Sequence, residues 1–169
     1  MATRTAHRGR DLVRARELLA RADVLVAHSA DATDRADAMR DLYFAALRAA
    51  GAVLAVAETP RARRGSASAW ARLPRVLPEL TTWSTYFAGV ARLCADLDIG
   101  VVGEVAESVV AELRRRVVDF VDDIDELVGA WEREEAGLAT SGGALRHARG
   151  GRAEVAGSVS VTATSRRTA

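Results

Sequence analysis

The sequence has no lysine and few cysteine, proline and aromatic residues. All 24 basic residues are arginine, and Cys94 is the single cysteine, which excludes an intrachain disulfide. The chain begins without the apolar segment of a secretory signal, and no uncharged stretch approaches the roughly 18–20 residues of a membrane span. These absences argue against a disulfide-stapled secreted domain and against a membrane protein. We therefore expect a cytoplasmic protein.

The residues that are present favour a helical domain. Apolar residues make up 49% of the 169 residues and charged residues 28%, a balance that supports a folded core. Alanine is the dominant residue with 35 copies, only three prolines interrupt the chain, and alanine is the best helix former. The length suits one compact domain with tails.

Charge divides the chain into a basic beginning, an acidic body and a basic end. Residues 1–10 carry three arginines and no acid, and residues 137–169 carry five arginines and one glutamate, so these two segments sum to +7. Residues 11–136 are left with −6, which does not favour a broad nucleic-acid-binding surface. We predict a flexible basic tail over 1–10, a helical bundle over 11–136 and a disordered tail rich in Gly, Ser, Thr and Arg over 137–169.

Apolar residues recur at helical spacing through the body. The first helix is predicted from Asp11 to about Ser29, and the second ends just before Pro60. Ser68 is a predicted N-cap, and Pro78 is predicted in the first turn of a further helix. One stripe marks a long last helix that ends near residue 137: Val105, Val109, Leu113, Val117, Phe120, Ile124, Leu127 and Trp131. The predicted fold is all-α, an up-and-down bundle of four or five helices with disordered tails.

Enzyme signatures are scarce, and one pair of residues carries the catalytic hypothesis. The sequence has no Gly-rich phosphate loop, no zinc-ligand spacing and no nucleophile elbow, so we expect no cofactor and no metal. Arg21 precedes His28 by two helical turns, about 10 Å along one face. An arginine can bind a phosphate while an imidazole moves the proton of an attacking ribose hydroxyl. The competing interpretation is a surface arginine and a histidine that suits the negative end of the helix dipole.

Two charged clusters have a binding interpretation and a simpler one. Arg61, Arg63 and Arg64 follow Pro60 in a predicted exposed loop, and they could contact a phosphate backbone or decorate the surface. The acidic run that contains Asp119, Asp122, Asp123, Asp125 and Glu126 could bind a metal or a partner. A solvated helix face is the usual meaning of such a run.

Several short segments together resemble a known family. They are FAALRAAGAVLA at 44–55, the arginine-rich loop after Pro60, Ser68-Ala69-Trp70, and Pro78-Glu79-Leu80 followed by Trp83 and Phe87. In this order, ahead of a long last helix, they resemble an actinobacterial branch of the HEPN superfamily (higher eukaryote and prokaryote nucleotide-binding). The resemblance covers residues 11–130.

The resemblance implies a small helical bundle, often a homodimer, and in catalytic members a metal-independent ribonuclease. Those members carry an arginine and a histidine with four to six residues between them, and Arg21 and His28, with six between them, satisfy that gap. In the family, a polar residue commonly follows the arginine and the motif usually lies on a late helix. Here Ala22 follows Arg21, and the pair lies on the first helix. In sister proteins of this branch we expect a histidine at position 43, preceded by an arginine at the motif spacing. Here Tyr43 replaces the histidine and the upstream residue is Ala38, so this version of the motif is missing.

Two functional hypotheses follow. The first is a non-catalytic helical binding module, a homodimer that uses an apolar helix face and the Arg61–Arg64 loop, with a protein, RNA or a nucleotide open as further partners. The second is a ribonuclease, toxin-like in character, that uses Arg21 and His28 and whose partner masks the site.

Overall fold

The computed structural model describes residues 2–59 and 67–150, and these residues form five α-helices without a β-strand. The helices are α1 (Ala2–Asp31), α2 (Arg35–Ala57), α3 (Ala69–Val76), α4 (Thr81–Asp98) and α5 (Glu107–Gly150). The predicted all-α bundle is confirmed.

The chain divides into two compact units, residues 1–132 and residues 133–169. The first unit contains the hydrophobic core and every site considered below. In the second unit, the described residues 133–150 are helical. The division of the chain into a bundle and two tails stays a prediction.

Local chemistry sets most of the helix ends. Asp34 caps α2, because its Oδ1 accepts a hydrogen bond of 2.6 Å from the Ala36 amide. Ser68 caps α3 as predicted, with its Oγ accepting from the Ala71 amide at 3.3 Å. Such caps contribute about 1 kcal/mol each. Pro78 opens a short 3₁₀ turn, Pro78–Leu80, that leads directly into α4, since proline has no amide hydrogen to lose in a first turn.

Two helices are longer than the sequence predicted. α1 begins at Ala2 and not at Asp11, and the one glycine in that extension, Gly9, does not interrupt it. A single glycine costs a helix only about 1 kcal/mol relative to alanine. α5 passes through Gly137 and ends at Gly150 for a similar reason, although the sequence predicted an end near residue 137. Residues 151–169 lie outside the described part of the chain.

The core combines a tight helix pair with an aromatic cluster. α1 packs along α2 through small side chains, among them Ala15, Ala22 and Ala46, which are fully buried. The aromatic cluster centres on Phe87, whose ring lies 5.0 Å from that of Trp70 and 5.1 Å from that of Phe120. These separations are typical of favourable aromatic pairs.

The buried stripe of α5 differs from the predicted one at both ends. Val109 is 41% exposed, whereas its neighbour Val110 is buried at 7% exposure. A four-residue step overshoots one helical turn by about 40°, so repeated steps of four drift off the buried face. Val110, three residues before Leu113, stays on that face. Val128 is also buried, because it follows the buried Val117 by eleven residues, which is close to three full turns, and the predicted Leu127 is only half-buried.

Candidate functional site

Arg21 and His28 lie two turns apart on α1, and both are exposed. The His28 side chain is 71% exposed. Neither residue lines the groove or the cavity described below. The pair therefore stands on an exposed part of the α1 surface, outside both of these concave regions.

His28 has a partner that the sequence did not reveal. Its Nδ1 lies 2.6 Å from Oδ2 of Asp41 on α2. A carboxylate oxygen accepts hydrogen bonds, so Nδ1 of His28 is the donor in this contact, and Nε2 takes no part in it. The bond joins α1 to α2, and a carboxylate that orients an imidazole is also a feature of general-base sites. Asp41 had no signal in the sequence, since the two residues meet only after the helices pack.

Tyr43, the position at which a histidine was expected in sister proteins, has a structural role. Its hydroxyl accepts a hydrogen bond of 3.3 Å from Nε1 of Trp70, and the two rings lie 6.3 Å apart. Ala38 is buried in the core. These contacts join α2 to α3. The predicted arginine loop with Arg61, Arg63 and Arg64 lies outside the described residues.

The acidic run of α5 is partly used in ion pairs and hydrogen bonds. Asp123 accepts a hydrogen bond of 3.0 Å from Nε1 of Trp83, and Asp125 binds Arg16 of α1. Arg16 also binds Glu132 at 2.7 Å. Over the part of the chain that the structure describes, no group of three or more His, Cys, Asp or Glu residues is arranged to hold a metal.

An apolar groove lies between α4 and α5, with Met39 of α2 at its side. We call it the α4–α5 groove; its volume is about 450 Å³. The residues that define it are Met39, Tyr86, Val90, Leu93, Val109 and Leu113. Burial and the nearby carboxylate of Glu112 raise the pKa of Tyr86, so its hydroxyl stays neutral at physiological pH. Two strongly exposed apolar residues, Ile99 and Val101, lie in the connection between the same two helices.

Glu112, which lines the α4–α5 groove, forms two ion pairs beside it. It binds Arg115 at 2.5 Å and Arg116 at 2.9 Å. Hydrogen bonds from these two arginines lower the pKa of Glu112. The Arg116 guanidinium lies 5.7 Å from the centre of the Tyr86 ring, within the range of a cation–π contact. The groove therefore has an apolar floor and an edge that carries both signs of charge.

A second concave region, the arginine cavity, lies where α1 ends and where α2 and α5 begin. Its volume is about 750 Å³, and three arginines line it, Arg35 of α2 and Arg114 and Arg115 of α5. Two acidic residues, Glu107 and Asp119, are also in its wall. The sequence contained the consecutive arginines of α5, but it gave no sign that Arg35, some 80 residues earlier, would join them.

Comparison with known proteins decides the family. The family model of the SAV_6107-like HEPN domains matches residues 29–125, more than half of the chain. The chain belongs to this HEPN family. The match begins one residue after His28, so the Arg21–His28 pair lies outside the HEPN region that the model covers. No curated protein and no solved structure matches the chain.

The HEPN chain also gives no membrane signal in its described helices, none of which is long and apolar enough to cross a bilayer.

Proposed function

We propose that this HEPN chain is a binding module that self-associates through the α4–α5 groove and does not cleave RNA. The observation that carries the proposal is the groove itself, an open apolar surface beside which Val109 is 41% exposed. Concave apolar surface in contact with water is a common mark of an interaction site. Covering it contributes about 25 cal/mol for each Å² removed from water.

A second copy of the chain is the occupant that suits the charges beside this groove. A two-fold interface places the same surface on both partners, so the surface must be complementary to itself. Glu112, Arg115 and Arg116 supply both signs of charge at the edge. A two-fold related copy can therefore set its acidic side chain against basic ones around an apolar centre. The homodimers implied by the family resemblance agree with this arrangement.

The position of Arg21 and His28 supports the non-catalytic part of the proposal. Ribonuclease chemistry needs the phosphodiester held within reach of both side chains, and this requirement favours a walled site. The two residues stand on an open helix surface outside the matched HEPN region. Neither residue borders the α4–α5 groove.

Light scattering on two matched variants tests the self-association. In Val109→Glu, a charge enters the middle of the proposed interface, and we expect the dimer to dissociate. The change should spare the fold, because Val109 is exposed and lies in the first turn of α5, where an acid is favourable. Val24→Glu is the control, since Val24 is 67% exposed on α1, and it should leave the dimer intact. A wild-type chain that is monomeric at every concentration would overturn the proposal.

A second candidate function is favoured by the hydrogen bond between His28 and Asp41. That bond orients the imidazole through Nδ1 and leaves Nε2 outside the contact, an arrangement that suits a metal-independent ribonuclease with Arg21 and His28. This candidate predicts that Asp41→Asn, like His28→Ala, lowers cleavage of an unstructured RNA in the presence of EDTA. The binding module predicts no cleavage by any of these proteins.

A further inference from the structure

We propose that the arginine cavity binds a small organic phosphate monoester. This site is separate from the α4–α5 groove, because the two concave regions share no lining residue. A volume of about 750 Å³ lies in the range of small-molecule sites, roughly 300–1,000 Å³, and exceeds what a bare phosphate ion needs. The site goes beyond self-association, although Arg115 belongs both to its wall and to the charged edge of the α4–α5 groove.

Two of the cavity's arginines are held by the backbone and retain donors for a ligand. Arg114 donates from one Nη2 to the Ser29 carbonyl at 2.8 Å, and Arg35 donates from Nη1 to the Val105 carbonyl at 3.5 Å. A guanidinium has five N–H donors, so each of these bonds leaves most of the fork unused. In the described ranges, neither Arg35 nor Arg114 forms an ion pair with a carboxylate. They are therefore positioned cations whose charge is not neutralised by a direct partner.

The third arginine adds charge without being fully available. Arg115 is bound to Glu112 through Nε and Nη2, which leaves its Nη1 group. The Arg115 guanidinium is paired with Glu112, so Arg35 and Arg114 are the cations that remain for an anion, beside the carboxylates of Glu107 and Asp119. Anion binding at this site therefore depends on these two positioned arginines and not on a net charge of the wall.

The chemistry of the wall indicates a compact dianion with an apolar body. A phosphate monoester carries about −1.5 to −2 charges at pH 7 and pairs well with forked guanidinium donors from two helices. Small apolar side chains, among them Ala32, Ala111 and Val118, also line the cavity and suit a flat organic group. The two carboxylates can accept hydrogen bonds from ligand hydroxyls. They would repel a long polyanion, so the wall favours a small ester over RNA.

Calorimetric titration of the full chain with phenyl phosphate tests this proposal. We expect one site per chain, and we expect both Arg35→Gln and Arg114→Gln to weaken binding by about tenfold or more, since charge-assisted bonds of this kind contribute about 1.5–3 kcal/mol. Ala111→Trp should block the cavity and abolish binding while both arginines remain. Ala111 is exposed on α5, so this change should not disturb the core. Arg92→Gln, an equal charge change at an exposed site on α4, is the matched control and should bind like wild type.

The outcomes separate this proposal from its rivals. Phenol should not bind, because it lacks the phosphate that the arginines recognise. Inorganic phosphate should bind more weakly than phenyl phosphate, because it lacks the organic group that contacts the apolar wall. The proposal is wrong if wild type does not bind phenyl phosphate, or if Arg92→Gln weakens binding as much as Arg114→Gln. It is also wrong if a short single-stranded RNA binds at this cavity and phenyl phosphate does not. If Arg114→Gln fails to fold, Ala111→Trp alone decides.

Discussion

The buried ion pair between Glu58 and Arg72 gives the sharpest stability prediction. Glu58 follows the last residue of α2 and its side chain is 2% exposed. Arg72 of α3 donates from Nε to Oε1 of Glu58 at 2.9 Å and from Nη2 to Oε2, and the first of these bonds raises the pKa of Arg72. Glu58 precedes the segment that carries Arg61, Arg63 and Arg64, and Arg72 follows it. Their ion pair therefore holds α3 against the end of α2.

The change Arg72→Gln removes a guanidinium that donates two hydrogen bonds to the buried Glu58 carboxylate. Removing one partner of a buried ion pair costs about 3–5 kcal/mol, because the remaining charge stays desolvated and loses that attraction. For a chain of this length, each kcal/mol lowers the melting temperature by about 2–4 °C, so the expected loss is roughly 6–20 °C. Arg75→Gln is the matched control on the same helix, because Arg75 is exposed, and it should change stability by less than about 0.5 kcal/mol.

The assay is urea unfolding followed by circular dichroism, with thermal melting as a second measurement. The double variant Glu58→Gln/Arg72→Gln should recover part of the loss, since it also removes the buried negative charge. The reasoning fails if Arg72→Gln and Arg75→Gln are equally stable. It also fails if the double variant shows no coupling between the two positions.

Three further predictions concern the core and its titrating groups. Phe87→Ala should lower the free energy of unfolding by about 3–5 kcal/mol in urea, because Phe87 is fully buried in the aromatic cluster. Burial raises the pKa of the Cys94 thiol, so native protein should react with a disulfide reagent far more slowly than protein unfolded in urea, and equal rates would contradict the buried placement. Desolvation and the carboxylates of Asp125 and Asp122 raise the pKa of Asp23, so stability is lost as pH rises from the ordinary pKa of an aspartate to the raised pKa in the fold. Asp23→Asn should therefore melt at a higher temperature than wild type at pH 7, and the difference should vanish near pH 3, below the ordinary pKa of about 3.9.

Features set by neighbours in the sequence could be predicted well. The Ser68 cap depends on one residue and its next few amides, and it was correct. Pro78 was predicted in the first turn of an α-helix, but it opens the 3₁₀ turn that precedes α4. The all-α class and the HEPN family followed from helical spacing and from the order of short segments. Helix ends at glycines were harder, because Gly9 and Gly137 only weaken a helix and do not stop it.

Features that join distant residues could not be found in the sequence. The buried face of α5 was assigned to Val109 where Val110 occupies it, since spacing alone does not fix the rotation of a helix against its neighbours. Asp41 meets His28, and Arg35 meets the arginines of α5, only because the helices pack in one particular arrangement. The α4–α5 groove is likewise lined by residues of three helices, so no single segment of the sequence indicates it.

Cleavage of a labelled, unstructured RNA by the full chain in EDTA tests most directly whether this HEPN protein acts by binding or by catalysis. Wild type, Arg21→Ala and His28→Ala are compared after circular dichroism has established that all three are folded. The binding module predicts that none of the three cleaves the RNA. Cleavage by wild type that is lost in both variants would contradict it and establish a metal-independent ribonuclease.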